Sequence, residues 1–160
     1  MGSMWKAGDE VRDIMLDLVS KYHPHLANAE IAIVFKEKAT KAGGRAILGK
    51  SKKAPPLVNV LGDTEYVFVM ELASDEWDDL TQKQQFALVD HHLCSMKGDE
   101  DPQTAEMKYY LVPPDFSAYF AEIERHGVWR TPPADDEEGQ SIIEQLFGDE
   151  ENEDGDPEEA

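Results

Sequence analysis

The sequence predicts an α+β fold: a single small domain with one mixed sheet and flanking helices, then an acidic disordered C-terminal tail. Three observations carry this expectation. Apolar residues follow helical spacing over 7–22 and 82–97 but form short β-branched and aromatic runs at 31–35 and 66–72. The resulting order, α-β-β-β-α-α-β-α, lacks the strict alternation of a parallel α/β fold. Finally, the tail 134–160 holds 13 acids and no base, whereas 1–133 holds 21 acids and 15 bases. Like charge at that density self-repels and opposes order.

Each element has a local reason. Val11, Ile14, Met15, Leu18 and Tyr22 recur three and four residues apart, so 7–22 is an amphipathic helix, and Pro24 stops it. Met1-Gly2-Ser3-Met4 reads as an appended remnant ahead of a natural Met4 and is left out of the fold. Ile31 to Phe35 is a buried strand, Lys41 to Gly44 a turn, and Arg45 to Lys50 a second strand broken by Pro55-Pro56. Tyr66 to Leu72 should lie centrally in the sheet. Ser74 caps a short acidic helix, and Thr81 with Gln84 forms a capping box for the helix 82–97, whose stripe is Phe86, Val89, Leu93 and Met96. Asp99 to Pro102 is loop, Met107 to Val112 a strand, and 115–126 a last helix ended by Gly127.

The net charge of -19 argues against direct nucleic-acid binding and against anionic membranes, and it permits basic partners or mimicry of nucleic-acid charge. One cysteine excludes an intrachain disulfide and any multi-cysteine zinc module. No apolar run approaches the roughly 20 residues of a membrane span. No basic-then-apolar leader opens the chain, so a cytoplasmic location is expected. Within the tail, Ile142 and Leu146, and Ile143 and Phe147, share a helical stripe at i, i+4 spacing. The default reading is a solubilising tail, but that has no use for four large apolar groups, so the sharper reading is helix-in-groove binding to a partner protein. The stretch Gln140 to Phe147 also resembles peptides that dock on DNA sliding clamps. Seven bases between Lys36 and Lys53 face one acid, Glu37. They read first as a solvated hairpin edge, and otherwise as a docking site for the tail or a local phosphate-binding face.

The helix 82–97 contains Ala87-Leu88-Val89-Asp90-His91-His92-Leu93-Cys94-Ser95. It resembles the phage metallopeptidases, small zincin-like proteins of phages and prophages whose corresponding helix reads roughly ALVDHELCH. Lys21 to Pro24, Gly44-Arg45 through Lys50 with Lys53, Trp77 to Thr81, and Glu124 to Gly127 with Trp129 extend the resemblance across about 11–130. It implies a zincin-like domain, 5–131, followed by the tail, 132–160.

In such a motif two histidines at i and i+4 share one helical face and hold one zinc, and the glutamate after the first serves as general base. In this chain His91 takes the first histidine position, His92 the glutamate position and Ser95 the second histidine position. The resemblance places the third ligand at Pro114. One ligand of three remains and the base is gone, so neither a catalytic residue nor a metal is expected. If zinc does bind, His91, His92 and Cys94 are the candidates, or His91 and Cys94 with His126. Cys94 otherwise reads as a small core residue, and His23 and His25, which flank Pro24, as surface or capping histidines. Asp75, Glu76, Asp78 and Asp79 read as a solvated helix start.

Three functions remain. The first is a phage or prophage pseudoenzyme that acts by binding a host or defence protein, as an inhibitor, with a basic nucleic-acid-handling protein as the partner the acid suits. The second is an active zinc metallopeptidase with an atypical ligand set. The third is an acidic DNA mimic.

Overall fold

The computed structural model describes residues 2–115, 117 and 119–127, together with Ser141, Ile142, Glu144 and Gln145. The chain divides into two units, Met1–Pro113 and Pro114–Ala160. The first is α+β with a mixed sheet, as its periodicities require. Its elements are β1 (Met4–Lys6), α1 (Asp9–Tyr22), a 3-10 turn (Pro24–Leu26), β2 (Ile31–Lys36), β3 (Lys41–Ala42), β4 (Arg45–Ala46) and β5 (Gly49–Lys53). They continue with α2 (Pro56–Gly62), β6 (Phe68–Ala73), α3 (Ser74–Trp77), α4 (Gln82–Cys94), β7 (Met96–Glu100) and β8 (Met107–Leu111).

The main sheet runs β1-β2-β6-β5, with β2 and β6 parallel and both outer strands antiparallel to their neighbours. Register decides which face carries the core. Ile31 pairs with Phe68, Ile33 with Met70 and Phe35 with Leu72, so the period of two sends all six to one side. That side is covered by Val11, Ile14, Met15 and Leu18 of α1 and by Val89 and Leu93 of α4, all buried in one cluster. Asp9 and Glu10 in the first turn of α1 and Lys21 in its last turn match the helix dipole.

β6 is an interior strand, as expected of the most apolar run. β5 forms an edge, where Lys50, Lys52 and Lys53 discourage pairing with another chain. Lys52 meets Glu71 at 3.3 Å, and Lys53 donates to the Tyr109 carbonyl at 2.8 Å.

Several elements depart from the sequence expectation, each for an identifiable reason. Met4, set aside with the residues before it, opens β1 and pairs with Lys36. The strand expected at 45–50 is divided into β4 and β5, and β5 runs on to Lys53. Pro55-Pro56, read as a breaker, starts α2, because proline suits the first helical turn. The helix α2 left no periodic trace because Leu57, Val58, Val60 and Leu61 are all exposed. Ser74 does not cap α3; Ala73 holds that position.

The helix expected to reach 97 ends at Cys94, and Met96 through Glu100 pair with β8 instead of forming helix and loop. Met96 is fully buried in either reading, so apolar spacing did not distinguish them. In the second unit α5 spans Phe120–His126, shorter than the expected 115–126. Ser141, Ile142, Glu144 and Gln145 are helical, and Ile142 is exposed. Ile143, Leu146 and Phe147 of the expected docking helix lie outside the described residues, as does most of the tail. No helix among the described residues is long and apolar enough to cross a membrane.

Candidate functional site

The helix α4 starts where the sequence says it should. Gln84 N–H donates to Thr81 Oγ1 at 3.2 Å, and Thr81 N–H donates to Gln84 Oε1 at 2.9 Å, completing the capping box. From that start, helical geometry turns Val89, His92 and Leu93 inward. It leaves His91 and Cys94 exposed. Cys94, expected in the core, is therefore a surface residue, because it lies three positions after exposed His91, on the outward face of the helix, away from Val89, His92 and Leu93.

His92 is the most constrained side chain of the site. Its Nδ1 pairs with Ser51 Oγ at 3.0 Å, while Nε2 is buried with no hydrogen-bond partner. Burial, and secondarily the neighbouring His91 ring, hold its pKa down at about 4, so it is neutral near neutral pH. The space for the ring exists because residue 49 is glycine. A β-carbon there would stand 2.6 Å from His92 Nε2 and 2.9 Å from the Glu71 carbonyl oxygen. Gly49→Ala should therefore destabilise the protein by about 1–3 kcal/mol, read as a lowered denaturant midpoint at unchanged slope. An unchanged midpoint would show that the β5–α4 contact is looser than this geometry.

The other motif positions are equally well placed. Ser95 Oγ donates to the His92 carbonyl at 2.6 Å, and its own carbonyl accepts from Val112 N–H at 2.8 Å. Pro114 belongs to the second unit and offers no side-chain donor; His126, at the end of α5, belongs there too. Exposed His91, enclosed His92, a serine hydroxyl turned to its own helix and a proline do not fit a catalytic zinc.

A different set of groups converges on the flank of α4. His23 follows the last turn of α1, donating its backbone N–H to the Val19 carbonyl at 3.0 Å. It is buried rather than at the surface, with 6% of its area exposed. Its Nε2 lies 2.6 Å from Asp90 Oδ1, and Cys94 sits one turn beyond Asp90. One donor atom from each of His23, Asp90 and Cys94 lies within 4.8 Å of the other two. His25 binds the Met96 carbonyl through Nε2 at 2.9 Å and packs edge-on against His23. The acidic group at α3 holds backbone in place, since Asp75 Oδ1 accepts from the N–H of Ala39 and of Glu76, at 3.0 and 2.9 Å.

A mixed sheet with a capped, histidine-bearing helix against its lysine-rich edge strand defines a small α+β domain organised around α4. Residues 3–146 match the family model described as "Putative phage metallopeptidase", and the chain belongs to that family. No curated protein and no solved structure matches it.

Proposed function

We propose that this chain is a noncatalytic member of its family that acts by binding another protein, as a phage-encoded inhibitor of a host or defence protein. The observation that carries this reading is the state of the four motif positions. His92 stands in place of the glutamate and is enclosed by Gly49 and Ser51, and Ser95 in place of the second histidine is turned to a backbone carbonyl. The acid-rich tail with its apolar quartet supplies the docking segment, and its charge favours a basic partner.

The test is hydrolysis and partner capture on the same preparation. Untagged protein supplemented with zinc should cleave a mixed peptide library no faster than the His91→Ala variant. Zinc-dependent cleavage abolished by His91→Ala would establish an active peptidase with an atypical ligand set instead. Leu146→Ala combined with Phe147→Ala should weaken partner affinity about 100-fold or more without changing charge, since each large apolar side chain contributes about 1.5–3 kcal/mol when buried. Binding that ignores these alanines but declines steeply with salt would favour charge mimicry.

A further inference from the structure

We propose that His23, Asp90 and Cys94 form a transition-metal site of zinc type, separate from the motif positions His91 and Ser95. An imidazole nitrogen, a carboxylate oxygen and a thiolate sulfur are the three ligand types that zinc takes, and the thiolate selects against magnesium and calcium. Their donor atoms lie mutually within 4.8 Å. A tetrahedral centre with bonds of about 2.0–2.3 Å needs donors about 3.3–3.8 Å apart. The His23–Asp90 pair at 2.6 Å must therefore open for an ion to enter, and any separation near the 4.8 Å limit must contract.

The backbone supplying these groups is held in place. Asp90 and Cys94 project from one flank of α4 at i, i+4 spacing. His23 is fixed from both sides, by its own N–H on the Val19 carbonyl and by Leu26 N–H on its carbonyl at 2.9 Å. His25, tied to Met96, buttresses the same turn. The site also has an entrance: His23 is buried, whereas Asp90 is partly exposed and Cys94 is exposed. One carboxylate and one thiolate neutralise a divalent ion, and three protein ligands leave a fourth position for water. On binding, the thiol proton is released to solvent, and a proton on His23 Nε2 moves to Nδ1.

The experiment is a titration of the untagged full-length chain with cobalt(II) alone. Cys94 is the chain's one cysteine, so a thiolate-to-cobalt charge-transfer band reports this residue and no other. One cobalt per chain is expected, with that band present and displaced by zinc. Affinity should rise about tenfold per pH unit while the thiol is protonated, because one proton leaves per ion bound. Cys94→Ser should abolish the band, Asp90→Asn should weaken cobalt binding about tenfold or more, and His91→Ala should change neither. Absence of cobalt binding, binding without the thiolate band, or loss of the band in His91→Ala would each overturn the assignment. The readout is optical, so it stands apart from the hydrolysis assay.

Discussion

Phe68→Ala should lower stability by about 3–5 kcal/mol, the largest loss expected from a single core truncation in this protein. Phe68 is fully buried on the interior strand β6, paired with Ile31 and edge-on to Tyr109, with Lys53 Nζ 5.4 Å from its ring centroid. The lysine over the ring adds about 0.5–1 kcal/mol that an aliphatic side chain does not recover. Against a total of about 5–15 kcal/mol, the alanine variant loses a large share of its folding free energy. A fall in melting temperature of about 10–20 °C is expected, with Phe68→Leu falling much less. A loss under about 1 kcal/mol would contradict the placement of Phe68 at the junction of sheet and hairpin.

Acidification should destabilise the protein through His92. Its folded-state pKa, about 4, lies below the ordinary histidine value of 6.5, because burial disfavours the imidazolium. The unfolded chain therefore binds the extra proton first as pH falls. The stability that neutral His92 contributes is complete above pH 6.5 and declines by about 1.4 kcal/mol per unit down to about pH 4. The whole decline is about 3 kcal/mol over that window. His92→Gln cannot titrate, so denaturant midpoints of the two proteins measured from about pH 7 to 4 should converge as pH falls. Parallel curves would show that His92 does not carry the linkage.

Both predictions depend on packing, and the sequence carried unequal information about it. The buried face of α1 was legible because Val11, Ile14, Met15 and Leu18 repeat at the helical period and one surface buries them together. The start of α4 was legible because its capping box closes over three residues. Its end was not, because Met96 satisfies the helical stripe and the strand β7 equally well. The exposed helix α2 was invisible, since a helix that buries nothing imposes no periodicity.

The candidate site divides the same way. The identities of His92, Ser95 and Pro114, where the resemblance led the sequence reading to expect a glutamate and two histidines, were readable directly. That His23 meets Asp90 was not, because 67 residues separate them and no local pattern links the end of α1 to the middle of α4.

Residue order alone was enough for the class of fold, the faces of the principal helix and strands, and the family. These follow from local periodicity, capping and residue chemistry, each expressed within a few neighbouring positions. Folding in three dimensions set the rest: His92 is enclosed by Gly49 and Ser51, Cys94 faces outward, and His23, Asp90 and Cys94 share one flank of α4. Such placements depend on how α1, α4 and β5 pack together, and side chains brought together only by that packing leave no signature in the local sequence.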